Sequence, residues 1–213
     1  MLFHFRNQHF QLHAYKAIYW QEQKALLIAD LHLGKVKHFR KSGFAVPSSA
    51  SQENWDKLIA LLLEFKPKQV LFLGDLFHSE YNDIWEELGK LIRQFAAIKF
   101  ILVKGNHDIL SEENYELAGL EVCEELVLPP FWLTHHPQEE NDSSHYNLAG
   151  HLHPSVRLKG NGRQYLRLPC FYFGQQGGIL PAFGSFTGTA TIQPNERDRV
   201  FVIVEEEVVE VSG

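Results

Sequence analysis

Cysteine is scarce in this sequence: Cys123 and Cys170 are the only two in 213 residues, far apart and without C-x-x-C spacing. That excludes a disulfide framework and a thiolate-rich structural zinc site, and it fits a reduced, cytoplasmic setting. No apolar run approaches the roughly 18 residues of a membrane span. The opening stretch, MLFHFRNQHFQLHAYKAIYW, interrupts its apolar positions with His, Arg and Lys, so no secretion signal is expected there. Gly/Ser linkers, low-complexity tracts and solenoid-period repeats are also missing, which predicts one domain over residues 1–213. Net positive charge is lacking too. A formal charge of −6 argues against strong non-specific binding to nucleic acid, which takes a basic surface.

What the chain does have is apolar mass and histidine. Hydrophobic residues make up 45%, with 16 Phe and 4 Trp, enough for a sizeable core. Short apolar runs at 24–29 (KALLIA), 69–74 (QVLFLG) and 98–103 (IKFILV) read as buried strands. Between the first two, Trp55, Leu58, Ile59, Leu62 and Leu63 repeat at helical spacing; between the last two, Ile84, Leu88, Leu91, Ile92 and Phe95 do the same. Strand and helix alternating at this length predict parallel βαβ crossovers. After about Leu120 short strands dominate: FWLTH, YNLAGH, SVRLKG, QYLRLP and RVFVIVEEEVVEV. The pattern predicts an α/β first half and a β-rich second half sharing one core.

The 12 histidines are unevenly placed, and many fall where apolar runs end. The runs deliver Asp30 and His32 (ADLHLG), Asp75 and His78 (GDLFHS), Asn106, His107 and Asp108 (GNHD), His135 and His136 (THHP), and His151 and His153 (AGHLHP). Each cluster alone has an ordinary explanation, since Asp, Asn and Gly are common turn and cap residues. Two imidazoles side by side at a strand end have no turn function. Ligands in open α/β sheets bind outside the carboxyl ends of strands, so the clusters are expected to converge. Residues i and i+2 of extended chain point to one side, so Asp30/His32 and His151/His153 can each offer two ligands to one centre. Carboxylate, imidazole and amide together suit Mn²⁺, Fe²⁺ or Zn²⁺, and a shared carboxylate would hold two ions roughly 3.5–4 Å apart.

The ordered set D-x-H, G-D-x-x-H, G-N-H-D, H and G-H-x-H resembles the signature of the calcineurin-like metallophosphoesterases. The stretches ADLHLGKVKHFRKSGFAVP, GHLHPSVRL and RLPCFYF…LPAFGSFTG further resemble the bacterial DNA-ligase-associated DNA damage response endonuclease family. The resemblance implies a four-layer αββα sandwich of two mixed sheets without a cap domain. It implies a dinuclear centre that usually prefers manganese, with Fe²⁺, Zn²⁺ or Mg²⁺ as alternatives. It also implies hydrolysis of phosphodiesters in DNA as an endonuclease of DNA repair, in company with an ATP-dependent DNA ligase, a helicase and an exonuclease. Residue by residue, it assigns Asp30, His32 and His153 to one metal and Asn106, His135 and His151 to the other, with Asp75 as the bridge. It makes His107 the catalytic imidazole, oriented by Asp108, and puts His78 near the phosphate. His136 stands outside its ligand set.

Other readings stay open on the residues alone. The motifs describe a reaction centre and leave the leaving group unspecified, so a phosphoesterase for nucleotides or other small phosphorylated molecules fits them as well. A catalytically idle metal-binding module of the same fold is the third reading. Such a module typically has lost a ligand or the catalytic histidine, and none is lost here. Lys35, Arg40 and Lys41 follow the first motif and are candidates for binding neighbouring phosphates.

Overall fold

Strands β4 (Ala25–Ile28), β5 (Gln69–Leu73) and β6 (Lys99–Val103) are parallel neighbours. They alternate almost without polar interruption, because both of their faces are covered. Leu26, Ile28, Val70, Phe72, Phe100 and Leu102 point one way, into a cluster with the helices. Ala25, Leu27, Leu71, Leu73, Ile101 and Val103 point the other way, toward a second sheet. Parallel strands buried on both faces read as continuous apolar runs for this reason. The computed structural model describes residues 1–35, 49–77, 83–138, 144–159, 164–185 and 187–211.

The first sheet has seven strands in sequential order. It begins as an antiparallel meander, β1 (Leu2–Phe5), β2 (Gln8–His13) and β3 (Ala17–Trp20), leading into β4. Helix α1 (Ser49–Phe65) crosses to β5, α2 (Asp83–Gln94) crosses to β6, and α3 (Glu112–Ala118) leads to β7 (Glu121–Cys123). The second sheet contains β8 (Leu126–Leu128), β9 (Phe131–Thr134), β10 (Tyr146–Ala149), β11 (Pro154–Lys159), β12 (Tyr165–Phe173), β13 (Gly177–Ile179), β14 (Ala190–Thr191), β15 (Arg199–Val204) and β16 (Glu207–Val211). Its order is β14-β11-β12-β13-β10-β9-β8, with β15 pairing β12 and β16. Within it, β9, β10 and β13 are parallel.

The α/β class with two mixed sheets is therefore present. Between the sheets lies an aromatic-rich core of Phe3, Phe10, Trp20, Phe131, Phe171 and Phe201, all buried. Each such side chain contributes about 1.5–3 kcal/mol on burial. The described helices all join the first sheet's outer cluster. On the second sheet a smaller cluster of Val156, Leu168, Cys170, Val200 and Val202 gathers β11, β12 and β15.

Some local expectations shift. In α1 the buried stripe is Trp55, Leu58, Leu61 and Leu62, while Leu63 is 59% exposed. A run of leucines at 61–63 leaves the phase of the stripe open in sequence, and the packing chooses it. The segment RVFVIVEEEVVEV is a hairpin, turning at Glu205 with φ 53°. The chain of QYLRLP continues through Pro169 to Phe173 as one nine-residue strand.

The two sheets meet at the site end. Ala29, just past β4, bridges in parallel with Ala182, which follows β13. Phe183 N–H donates to Ala29 O at 2.9 Å and Gly184 N–H to Asp30 O at 3.1 Å. These bonds hold the carboxyl ends of β4–β6 beside those of β9 and β10.

Candidate metal centre

Most of the sequence-predicted ligands sit in strained backbone. Asp30 (φ 53°), His32 (48°), Asp75 (50°), His151 (65°) and His153 (48°) all occupy the left-handed region. Non-glycine residues there cost on the order of 1–3 kcal/mol each and persist only where the surroundings fix them. Here backbone bonds fix them: His32 N–H donates to Asp75 O at 2.9 Å and Gly150 N–H to His135 O at 3.1 Å. Left-handed backbone, rather than the extended chain that i, i+2 reasoning assumes, carries both pairs: Asp30 and His32 fall in one ligand group, whereas His151 and His153 divide, His151 going with His135 and His136 and His153 with Asp30 and His32. Close approach demands glycine as well. A Cβ on Gly74 (φ +77°) would lie 2.0 Å from His135 Nδ1, and one on Gly105 would lie 2.3 Å from Asp75 N.

The ligand atoms fall into neighbouring groups. Asp30, His32 and His153 form one; Asp30, Asp75 and His135 form another; each lies within 4.8 Å. Asp75 faces both ways: its Oδ2 is 3.9 Å from His32 Nε2, and its Oδ1 is 3.4 Å from His135 Nε2. His135 Nε2 is also 3.0 Å from Asn106 Oδ1 and 3.2 Å from His151 Nδ1. His107 is carried alongside, its backbone N–H donating to Asp75 Oδ1 at 2.9 Å and its ring 5.8 Å from that of His32.

The donor chemistry fits divalent metal. His135 Nδ1 is 3.0 Å from Leu73 O, and His153 Nδ1 is 2.8 Å from Gly188 O. A carbonyl only accepts, so Nδ1 of each ring carries a proton, and in the neutral ring Nε2 is the lone pair. Those lone pairs point at other acceptors. His153 Nε2 faces Asp30 Oδ1 at 3.4 Å, and both atoms are buried with no hydrogen-bond partner among the described residues. Asp30 and Asp75 are 0% and 3% exposed. Buried carboxylates opposed by imidazole lone pairs are costly unless a cation lies between them.

The surroundings shift the titrating groups in different directions. Burial lowers the pKa of His151, and the His136 and His135 rings lower it further, which keeps it a neutral donor. Burial acts to lower His153, but the Asp30 carboxylate beside it outweighs this and the net shift is upward. Lys35, half-buried, has its pKa lowered by burial against the pull of Asp75 and Asp30, so its ammonium lies within the field of the centre.

Asp108 is engaged by backbone donors of two loops. Its Oδ1 accepts from Leu76 N–H at 3.0 Å and Phe77 N–H at 3.3 Å, and its Oδ2 from Gly105 N–H at 2.9 Å. The carboxylate ties the loop after β6 to the loop after β5, and so acts on the backbone that carries Asp75 and Asn106. Burial pushes its pKa up to about 6, Asp75 adds to the rise, and the three N–H groups oppose it. His136 is brought close: its ring is 4.1 Å from that of His151, and His135, His136 and His151 form a third ligand group. The doublet in THHP was the only sequence signal for it. His78, Arg40 and Lys41 lie outside the described residues.

The model of the calcineurin-like phosphoesterases matches residues 24–192, which include all of these groups. The chain belongs to that family. It is a metal-dependent phosphoesterase, with His/Asp clusters placed to hold divalent ions. Among solved structures it is similar to the crystal structure of Pseudomonas putida nuclease MPE, with 32% identity, a TM-score of 0.81 and 99% of each chain covered. No curated protein in the comparison matches. None of the described helices is long and apolar enough to cross a membrane.

Proposed function

We propose that the chain is a phosphodiesterase with a dinuclear centre and that its substrate is DNA, cut internally. The observation that carries the reading is Asp75 between two ligand sets. On one side lie Asp30, His32 and His153; on the other lie Asn106, His135 and His151. Similarity over nearly the whole chain to a protein named as a nuclease supports the nucleic-acid substrate.

Two divalent ions held by these residues, manganese by family resemblance, would supply Lewis acidity and a water of lowered pKa. The protein residues do the rest. Leu73 and Gly188 carbonyls orient His135 and His153 through their Nδ1 atoms. His107, exposed at the rim and anchored through its N–H to Asp75, delivers a proton to the leaving oxygen. Asp108 holds the loop that presents His107 and Asn106. The family resemblance assigns His78 to the phosphate, and Lys35 adds positive potential at the centre. A cytoplasmic DNA-repair role, alongside a ligase, a helicase and an exonuclease, completes the reading by family resemblance.

The test is a substrate panel. Single-stranded DNA, duplex DNA, 2′,3′-cyclic nucleotides and p-nitrophenyl phosphate are assayed with Mn²⁺, Fe²⁺, Zn²⁺ and Mg²⁺ in turn. Internal cleavage of DNA supports the reading. Rapid monoester turnover with DNA untouched transfers the site to small phosphorylated molecules.

A further inference from the structure

A cleft of about 990 Å³ opens directly from the metal centre. His136 and His151 line it, and so do Tyr172, Asn195, Arg197 and Asp198. Its volume is at the upper end of pockets that hold a small organic ligand. The established chemistry of the centre does not use it, since that chemistry ends at the scissile phosphate.

The lining around Tyr172 is built rather than incidental. Asp198 is 7% exposed, and its Oδ2 accepts from Tyr172 Oη at 3.0 Å and from Asn195 N–H at 2.9 Å. Asn195 Oδ1 in turn accepts from Arg197 N–H at 3.0 Å. One buried carboxylate therefore locks a tyrosine ring on β12 to the turn that presents Arg197. Asp198 Oδ1 is buried with no hydrogen-bond partner among the described residues.

The character of the lining selects the occupant. Arg197 is offset by Glu196 and Asp198, so the cleft is not a phosphate cradle. Gln138, Gln175 and Asn195 offer amides, which match groups that carry both donors and acceptors. An aromatic ring with amides and one arginine is the equipment that binds an unstacked base through its face and its edge. We propose that this cleft is a nucleobase subsite, taking the base on one ester arm of a diester whose phosphorus lies at the metal centre. The inference rests on the phosphodiesterase reading. It also explains how a chain of net charge −6 holds nucleic acid: through a base at one nucleotide rather than through many phosphate contacts.

The experiment uses the manganese-loaded protein and two diesters with the same leaving group, bis-p-nitrophenyl phosphate and thymidine 5′-(p-nitrophenyl phosphate). Only the second carries a base. The wild type is expected to have the lower KM for the nucleotide diester. Tyr172→Leu should raise that KM by on the order of 10-fold, within the worth of one base–aromatic stack. It should leave kcat, and both constants for bis-p-nitrophenyl phosphate, unchanged. Tyr172→Phe, which keeps the ring, should retain most of the preference. Arg197→Ala, an exposed change that spares the fold, should raise the same KM more modestly. Equal KM for the two diesters in the wild type overturns the subsite while leaving the phosphodiesterase reading intact. So does equal loss on both diesters in Tyr172→Leu and Arg197→Ala. Hydrolysis of neither diester by the wild type overturns the phosphodiesterase reading itself, and the subsite with it.

Discussion

Asp30 Oδ1 and His153 Nε2 face each other at 3.4 Å, both buried and neither hydrogen-bonded among the described residues. A positive charge stabilises the pair; a proton on the imidazole supplies one, and a divalent ion is the group that the rest of the donor set fits. Metal should therefore be a large part of this protein's stability. Chelation is expected to lower the melting temperature, and Mn²⁺ to restore it in a concentration-dependent way. At 100-fold excess over Kd the gain for one site is about 2.7 kcal/mol. Differential scanning calorimetry with and without chelator measures it. A melting temperature indifferent to chelator and to Mn²⁺ would count against metal at this pair.

Asp108 and His107 are adjacent but should fail differently. Asp108→Asn keeps the shape and loses one acceptor, so a backbone N–H of Gly105, or of Leu76 and Phe77, is left facing an amide N–H. A buried unsatisfied donor costs about 1–3 kcal/mol. The metal-free variant should melt several degrees below the metal-free wild type. His107→Ala, exposed at the rim, should melt with the wild type. Denaturation of both proteins in chelator compares them, and an Asp108→Asn protein as stable as the wild type would remove the clamp.

Asn106 and His107 should also separate, through metal. Asn106→Ala should weaken one site, and excess Mn²⁺ should recover part of the rate. His107→Ala should keep both ions and lose roughly 10²–10⁴-fold in rate, the worth of a positioned acid–base group. Its loss should shrink with a p-nitrophenolate leaving group, which needs little protonation. Metal analysis and diester kinetics on the two variants read both effects. Loss of an ion in His107→Ala would exchange the two assignments.

Burial pushes the Cys170 thiol up to about 12 from its ordinary value near 9.0, and the residue is 0% exposed. At pH 8 the native thiol should stay protonated and react with a disulfide reagent only after unfolding. The sign for stability follows. The native state keeps a proton that the unfolded chain releases above about pH 9, so this group's contribution falls as pH rises from there toward 12. A thiol titration of native and denatured protein checks the first statement. Rapid native reaction at Cys170 would contradict it.

Much of this was legible in the sequence because the parallel strands are buried on both faces, so KALLIA, QVLFLG and IKFILV announce themselves and their polar ends stand out. The meander of β1, β2 and β3 was not, since its residues mix His, Gln and Arg among single aromatics and only the sheet shows which face is buried. The left-handed backbone at Asp30, His32, Asp75, His151 and His153 has no sequence signal either. Ligand spacing of i, i+2 reads as extended chain until the turns are seen. Asp108 looked like a partner for the neighbouring ring. Two of its three backbone partners, Leu76 and Phe77, are distant in sequence, where no local pattern points. The cleft at Tyr172 and Arg197 joins β12 to the turn before β15, and nothing short of the fold brings them to His136.

The central claim is that Asp75 joins two ions into one diester-hydrolysing centre. Metal content and turnover of bis-p-nitrophenyl phosphate, measured together in the wild type and in Asp75→Asn, test it most directly. The account predicts two ions per wild-type chain, diester turnover faster than that of p-nitrophenyl phosphate, and an Asp75→Asn protein that folds, holds fewer than two ions and is nearly inactive. An Asp75→Asn protein that keeps two tightly bound ions and its diesterase rate would contradict it.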